Sequence, residues 1–227
     1  MTIRLDHDAT LAGSIPLFRG LPDPVVGRLL AHRLPRTYDD GEILFQEGDD
    51  AKSFFILLEG TVKILRNRAD GSETLLNILG AGDTIGECAY CAGGTYSFSA
   101  EAVGRVRVLA IATETVSSCV AEDAGFASVL LRLQQRHLET MMDQLEQMKL
   151  LTAAQRVAVF ILRLAKGLRG AATVSLPYEK ALIAQLLGMN PESFSRALAK
   201  LREVGATVDG RDIRIASVER LRGFCRS

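Results

Sequence analysis

Residues 54–65 read FFILLEGTVKIL, two apolar runs separated by Glu59-Gly60. The first run is continuously apolar and the second alternates apolar with polar positions, and both patterns are typical of short strands. Further strands are predicted at residues 42–47, 74–79 and 105–111, with glycine turn signals between them. Turns at a regular spacing of about 8–12 residues are typical of a β-sandwich or barrel. The chain from Tyr38 to about Ile111 is therefore predicted to be an all-β domain.

Beyond residue 113 the hydrophobic period changes to that of a helix. The residues that recur every three or four positions are Phe126, Leu130, Leu133, His137, Met141, Leu145 and Met148. This spacing predicts an amphipathic helix of about six turns. Because such a helix is longer than one sandwich needs to cover a face, we expect it to pair with a second copy in a homodimer. The alternative is a long helix that packs wholly within its own chain.

The last third of the chain carries the pattern of a winged helix-turn-helix. The predicted elements, in chain order, are a helix at Thr152–Lys166, a strand at 173–176 and helices at Tyr178–Leu187 and Pro191–Val204, the former opened by Pro177. Gly188-Met189-Asn190 joins the last two helices, and its glycine supplies the tight turn. Further on, Asp209-Gly210 lies between two alternating runs, which predicts a hairpin that forms the wing.

Charge is distributed unevenly although the 227-residue chain has a formal net charge of zero. Residues 1–150 hold 14 Lys+Arg and 21 Asp+Glu, whereas residues 151–227 hold 13 and 6. An excess of seven positive charges on the last third suits a polyanionic partner such as double-stranded DNA. No window approaches 18 consecutive apolar residues, and the first residues lack the pattern of a secretory signal. We therefore expect a cytoplasmic protein with no membrane partner.

The four cysteines are Cys88, Cys91, Cys119 and Cys225. Cys88 and Cys91 form one Cys-x-x-Cys, and no second pair of ligands stands at the spacing of a zinc site. The pair is interpreted either as a redox switch or half of a metal site, or as two small apolar residues in a turn. The chain has no phosphate-binding glycine loop, no Gly-x-Ser-x-Gly and no His-Glu-x-x-His, so we do not expect an enzyme.

The second helix of a helix-turn-helix lies in the major groove, with its first residues facing base edges. Here Glu192 can accept from a cytosine amino group, Arg196 can donate twice to guanine, and Ser195 can reach a base or a phosphate. The residues predicted to contact phosphates are Lys200, Arg202, Arg211 and Arg214. The alternative for Glu192 and Arg196 is an ordinary ion pair between positions i and i+4 of the helix.

Over nearly its whole length the sequence resembles the Crp/Fnr family of bacterial transcription regulators. The residues that carry this resemblance are Gly41–Asp49 (GEILFQEGD), Phe54–Ile64 (FFILLEGTVKI) and Gly86-Glu87. The resemblance implies an α+β architecture with three parts. These are a double-stranded β-helix (jelly-roll) sensory domain at 1–120, a dimerisation helix at 121–150 and a winged helix-turn-helix domain at 151–227.

The same resemblance implies a DNA target. Glu192, Ser195 and Arg196 match the Glu-x-x-Ser-Arg pattern of the Fnr-like branch. That match implies a palindrome similar to TTGAT-N4-ATCAA, read by a homodimer, with RNA polymerase as a further partner.

For the effector, the resemblance implies a pocket that contains Glu87, Tyr96 and Ser97. Members that bind cAMP have an Arg-Ser where this chain has Tyr96-Ser97, and no arginine occurs between Arg68 and Arg105. Because an unpaired phosphate inside a sandwich is costly, we do not expect cAMP or cGMP. Residues 1–87 contain no cysteine, so a cluster of the Fnr type is not expected either.

The segment Pro191–Arg196 (PESFSR) is similar to the reading helix of the Dnr-like branch, whose members respond to nitric oxide through haem. The candidate haem or redox ligands are His137, Cys88 and Cys91, with His7 and His32 interpreted as surface residues. His137 is predicted to lie on the apolar seam of the long helix, either as a haem ligand or hydrogen-bonded to the partner subunit. The alternative function is a redox or small-ligand switch module that uses Cys88-Cys91 and acts through a protein partner.

Overall fold

A 15-residue strand, β3 (Ser53–Asn67), runs through the middle of the β-sandwich. The computed structural model describes residues 15–18, 21–31, 34–68, 70–87 and 94–226. The strands that surround β3 are β1 (Arg36–Tyr38), β2 (Ile43–Phe45), β4 (Glu73–Gly80), β5 (Thr84–Ile85) and β6 (Ser99–Ala112). β3 pairs antiparallel with β4, β5 and β6, and β6 also pairs with β1 and β2. The predicted sandwich is confirmed.

The two runs predicted as separate strands belong to one strand, so the predicted turn at Glu59-Gly60 is wrong. The register of β3 against β6 shifts on both sides of Glu59, and Gly60 has φ 89°. A Cβ on Gly60 would lie 2.5 Å from the carbonyl oxygen of Arg105. Gly60 is thus a β-bulge at which the neighbouring backbone approaches closely, and glycine is required for both reasons.

β3 is buried on both faces, which explains its continuous apolar run. Phe55 and Leu57 pack inside the sandwich, together with Phe45, Ile85, Tyr96 and Val106. On the other face, Phe54, Ile56 and Leu58 pack against helices that include α1 (Asp23–Leu30) and α2 (Thr113–Glu122), neither of which the sequence pattern predicted. Cys119 of α2 belongs to this second cluster.

The predicted long helix is confirmed as α3 (Ala124–Leu150), but its apolar residues belong to two faces. Those that are buried with β3 are Phe126, Val129, Leu130 and Leu133. A second stripe is exposed, and it comprises Leu131, Leu138, Met141, Met142, Leu145, Met148 and Leu150. His137, predicted to lie on the apolar seam with Phe126, Leu130 and Leu133, contacts Glu87 of its own chain, with Nδ1 2.9 Å from Oε1, and its predicted roles as a haem ligand or in a bond to the partner subunit stay predictions.

Clustering of contacts divides the chain into two compact units, residues 1–138 and 139–227. The second unit contains α4 (Ala153–Leu164), β7 (Ala172–Ser175), α5 (Lys180–Leu186), α6 (Pro191–Lys200), β8 (Ala206–Asp209), β9 (Asp212–Ile215) and α7 (Val218–Phe224). Its sheet has the order β7-β9-β8. Its core includes Val157, Ile161, Ile183, Phe194, Leu198, Ile213 and Leu221.

The predicted helix-turn-helix and wing are confirmed in this unit, with small differences at the ends of elements. α4 begins after Thr152, whose side chain and backbone form a capping box with Gln155. α5 begins at Lys180 rather than at Pro177, with Glu179 as its N-cap residue. α6 ends at Lys200 and continues as a 3-10 turn to Val204. α7 was not predicted.

The bulge at Gly60 yields a prediction about stability. Gly60→Ala is expected to lower the free energy of unfolding by about 2–4 kcal/mol, because it adds a clash to the strain of a positive φ. Gly71 is the matched control, since it has φ 80° but no atom within 4 Å of its Cβ position. Gly71→Ala should lose only about 1–2 kcal/mol, as measured by urea unfolding. Equal losses would show that the clash at Gly60 relaxes freely.

Candidate nucleic-acid interface and effector site

The first turns of α6 present the residues predicted to read bases. Glu192, Ser195 and Arg196 are exposed, whereas Phe194 and Leu198 are buried in the core of the second unit. The helix begins with the signals that the sequence contains: Asn190 is the N-cap residue and Pro191 occupies the first helical position. A buried apolar face therefore holds the helix, and its opposite face is available to a ligand.

The hydrogen bonds on this face differ from the predicted alternative. Arg196 Nη2 donates to Ser193 Oγ over 3.2 Å, and the Ser195 hydroxyl donates to the Pro191 carbonyl over 3.0 Å. Within the described part of the chain, Glu192 and Arg196 form no ion pair. Glu192 instead lies alone in the first turn, where a carboxylate favours the helix dipole.

The four side chains predicted to contact phosphates fall into two groups. Lys200 and Arg202 are exposed at the end of α6. Arg214 pairs with Asp209 across the wing, with Nη2 and Oδ2 2.7 Å apart. Arg211 donates from Nη2 to two carbonyl oxygens, those of Leu176 and Pro177, each over 3.3 Å.

Arg211 therefore already holds the wing to the segment that precedes α5. Its Nη1 also lies 3.5 Å from Oε1 of Glu179. A guanidinium has five donors, so a phosphate contact would share this group rather than occupy a free one. Phosphate contacts by Arg211 and Arg214 stay predictions, as do those by Lys200 and Arg202.

No functional role was predicted from the sequence for two polar residues at the start of α6, the N-cap residue Asn190 and Ser193. Asn190 Oδ1 accepts from the Ser193 N–H over 2.8 Å, which fixes the first turn. Ser193 in turn supplies the oxygen that Arg196 contacts. The sequence held both signals: asparagine before a helix is a frequent cap, and residues three apart on a helix are neighbours.

The first unit holds a carboxylate in its interior. Glu87 is only 4% exposed, and its Oε1 lies 2.9 Å from Nδ1 of His137 on α3. Its second oxygen, Oε2, has no hydrogen-bond partner among the described residues, and the buried Thr84 hydroxyl likewise has none. This polar pair connects the segment that follows β5 to the long helix α3.

Tyr96 fills space in the sandwich where the resemblance implied a pocket. Its ring stacks on Phe45 with centroids 3.7 Å apart, and its hydroxyl donates to the Ser53 carbonyl. A Cβ on Gly86 would lie 2.9 Å from the Tyr96 ring. Burial raises the pKa of the Tyr96 phenol, so the group stays neutral. Ser97 instead is exposed.

Only two of the four cysteines, Cys119 and Cys225, lie among the described residues. Cys88 and Cys91, together with His7 and His32, lie outside the described residues. Burial raises the pKa of the Cys119 and Cys225 thiols, which disfavours the reactive thiolate. In the ranges that the structure describes, no group of three or more His, Cys, Asp or Glu side chains is placed to hold a metal ion.

Both units match models of known protein domains. Residues 35–123 match the model of the cyclic nucleotide-binding domain, and residues 155–224 match that of the Crp-like helix-turn-helix domain. The cyclic AMP receptor protein of Thermus thermophilus is 30% identical over 84% of this chain and 87% of its own length. The chain belongs to the Crp/Fnr family of transcription regulators.

Two solved structures resemble this Crp/Fnr regulator along its length. A putative cyclic nucleotide binding protein from Ruegeria pomeroyi is 36% identical, with a TM-score of 0.68 over 99% of this chain and 100% of the other. DNR from Pseudomonas aeruginosa is 30% identical, with a TM-score of 0.56 over 99% and 100%. Among the described helices of the regulator, none is both long and apolar enough to cross a membrane.

The exposed face of α6 yields a prediction about sequence reading. Arg196→Ala is expected to weaken binding to a specific duplex by about 1–3 kcal/mol and to relax discrimination at one base pair, with little change on random DNA. Lys200→Ala is the contrasting variant and should weaken binding to all sequences, with a shallower dependence on salt. Fluorescence anisotropy at several salt concentrations measures both. An equal loss on specific and random DNA for Arg196→Ala would contradict base reading.

Proposed function

We propose that this Crp/Fnr regulator binds double-stranded DNA as a homodimer, at a palindrome similar to TTGAT-N4-ATCAA. The observation that carries the proposal is the first part of α6, where Glu192, Ser195 and Arg196 are exposed opposite a buried apolar face. These side chains can reach base edges when the start of the helix enters the major groove. The charge excess of residues 151–227 adds attraction for phosphates that is independent of sequence.

The exposed stripe of α3 supports the homodimer. Leu131, Leu138 and Leu145 are spaced seven residues apart. Met141 and Met148 are also seven apart, each three residues after a leucine of this series. Leu131 is 70% exposed and Leu138 is 60% exposed. This 3-4 spacing is that of a two-stranded coiled coil, so the same stripe of a second copy would cover it. A twofold dimer then matches the two half-sites of a palindrome.

The dimer proposal predicts the effect of a charge in the stripe. Leu138→Asp is expected to convert the protein to a monomer, because it would place two like charges in the apolar seam of the dimer. The matched control is Leu168→Asp, which changes an exposed leucine outside α3 and should leave the dimer intact. Light scattering after gel filtration measures the mass. A Leu138→Asp variant that stays dimeric would place the subunit contact elsewhere.

Selection from a pool of random duplexes tests the DNA-binding function directly. The unaltered protein is expected to enrich a twofold-symmetric site. The Arg196→Ala variant is expected to enrich the same site but to accept any base pair at one position in each half. The Arg196→Ala variant is the control for enrichment by charge alone, because it keeps the other cations of the second unit. A pool that shows no enriched sequence would favour the alternative module that acts through Cys88-Cys91 and a protein partner.

Control by an effector is proposed to act through the contact between Glu87 and His137. Because this contact joins the sandwich to α3, a ligand that alters it can favour one arrangement of the long helix over another. A cyclic nucleotide does not fit the described residues. No lysine or arginine occurs between Arg68 and Arg105 to pair its phosphate, and the Tyr96 ring is packed against Gly86.

Haem is the effector group that we propose, on the resemblance to the Dnr-like branch and on the presence of a histidine, a residue that binds haem iron, in the polar pair. Histidines that bind metals commonly donate from their other ring nitrogen to a carboxylate, as His137 Nδ1 can to Glu87. His137 would then hold the haem iron, while Glu87 fixes the orientation of the ring. When bound, the haem iron supplies the position at which nitric oxide is sensed.

Anaerobic titration with ferrous haem tests this part of the proposal. We expect a saturable Soret band at one haem per subunit that shifts on addition of nitric oxide. His137→Ala should abolish the saturable band, whereas Glu87→Gln, which can still accept a hydrogen bond, should keep it with weaker affinity. A spectrum that matches free haem at every ratio would overturn haem as the effector group without affecting the DNA-binding function.

A further inference from the structure

We propose that Ser193 is a positioning residue that aims the Arg196 guanidinium at the DNA before binding. The proposal rests on the DNA-reading function proposed above and adds a residue to it. Its basis is the hydrogen bond from Arg196 Nη2 to Ser193 Oγ, 3.2 Å long, on the exposed face of α6. Ser193 is half-buried, so its side chain has less freedom than those of its exposed neighbours.

The position of Arg196 on the helix explains why it needs such a contact. Long side chains on a helix lean toward the N-terminus, and that end of α6 is the one expected to enter the groove. The Ser193 hydroxyl, one turn before Arg196, is an acceptor on that path, and it selects one orientation of a side chain that is otherwise flexible.

The acceptor is itself held in place. The Ser193 N–H donates to the Asn190 side chain over 2.8 Å, and Pro191 fixes the backbone at the first helical position. Two neighbouring polar side chains make no contact with the Arg196 guanidinium in the described part of the chain. The Ser195 hydroxyl donates to the Pro191 carbonyl, and Glu192 forms no ion pair with Arg196. The chain of contacts therefore runs from Asn190 through Ser193 to Arg196.

A second role for Ser193 must be separated from this one. A hydroxyl that accepts from Arg196 keeps its own proton, and it can donate that proton to a DNA phosphate. A phosphate contact would strengthen binding to every sequence, whereas positioning of Arg196 would strengthen only the sequence that Arg196 reads. The two roles therefore differ in how the effect depends on sequence.

The test compares Ser193→Ala and Ser193→Thr with the unaltered protein on three duplexes. These are the selected palindrome, the palindrome with the pair read by Arg196 replaced in both halves, and a random duplex. Ordering one long side chain on binding corresponds to about a threefold to tenfold change in affinity. We expect Ser193→Ala to lose that factor on the selected palindrome alone and Ser193→Thr to restore it.

Two further variants complete the design. In an Arg196→Ala background, Ser193→Ala should cause no further loss, because its effect passes through Arg196. Ser118→Ala removes a comparable serine hydroxyl bond to a backbone carbonyl in helix α2 and should leave DNA binding unchanged. Circular dichroism checks that Ser193→Ala keeps its fold, which is expected because the Asn190 cap contacts the backbone of Ser193 and not its side chain.

The outcomes distinguish this inference from the function on which it rests. If the unaltered protein selects no palindrome, the proposed DNA-reading function is wrong, and the inference about Ser193 is overturned with it. If it does select one, but Ser193→Ala binds all three duplexes as the unaltered protein does, the positioning role is overturned. An equal loss on all three duplexes, with a shallower salt dependence, would overturn it in favour of a phosphate contact.

Discussion

The burial of β3 on both of its faces is the constraint on which the first unit depends. Successive side chains of a strand point to opposite faces, so this run must be apolar at every position. Phe55 and Leu57 fill the sandwich, while Phe54 and Ile56 pack against the helical layer that includes the first turns of α3. One strand thereby fixes the interior of the sandwich and also provides the surface on which the long helix begins.

The contact between Glu87 and His137 gains its importance from these apolar surroundings. A buried carboxylate is unfavourable unless it is paired, and Glu87 has one paired and one unpaired oxygen among the described residues. A group that pairs with the second oxygen of Glu87, or that takes the place of His137, changes the free energy of the contact between Glu87 and α3. The same argument explains why a polar pair, rather than the apolar contacts around it, is suited to respond to an effector.

The exposed faces of α3 and α6 show two different ways in which a helix can be left available to a partner. On α3 the available stripe is apolar, and water is a poor solvent for it, which favours its burial against another apolar surface. On α6 the available face is polar: Glu192 lies in its first turn, where a carboxylate favours the helix dipole, and Arg196 follows one turn later with its guanidinium on the Ser193 hydroxyl. That face offers charged and hydrogen-bonding groups to a partner instead of apolar surface.

The sequence by itself determined the elements whose signals are local. These are the alternating strands, the long helix, the turn at Gly188–Asn190, the wing and the charge excess of the last third. Only the folded chain shows that Gly60 is a bulge, that Tyr96 fills the sandwich and that Glu87 is the residue that His137 contacts. The physical reason is that periodicity fixes the direction of a side chain around its own helix or strand. What the side chain meets there is set by residues distant in sequence, such as Arg105 for Gly60 and Glu87 for His137.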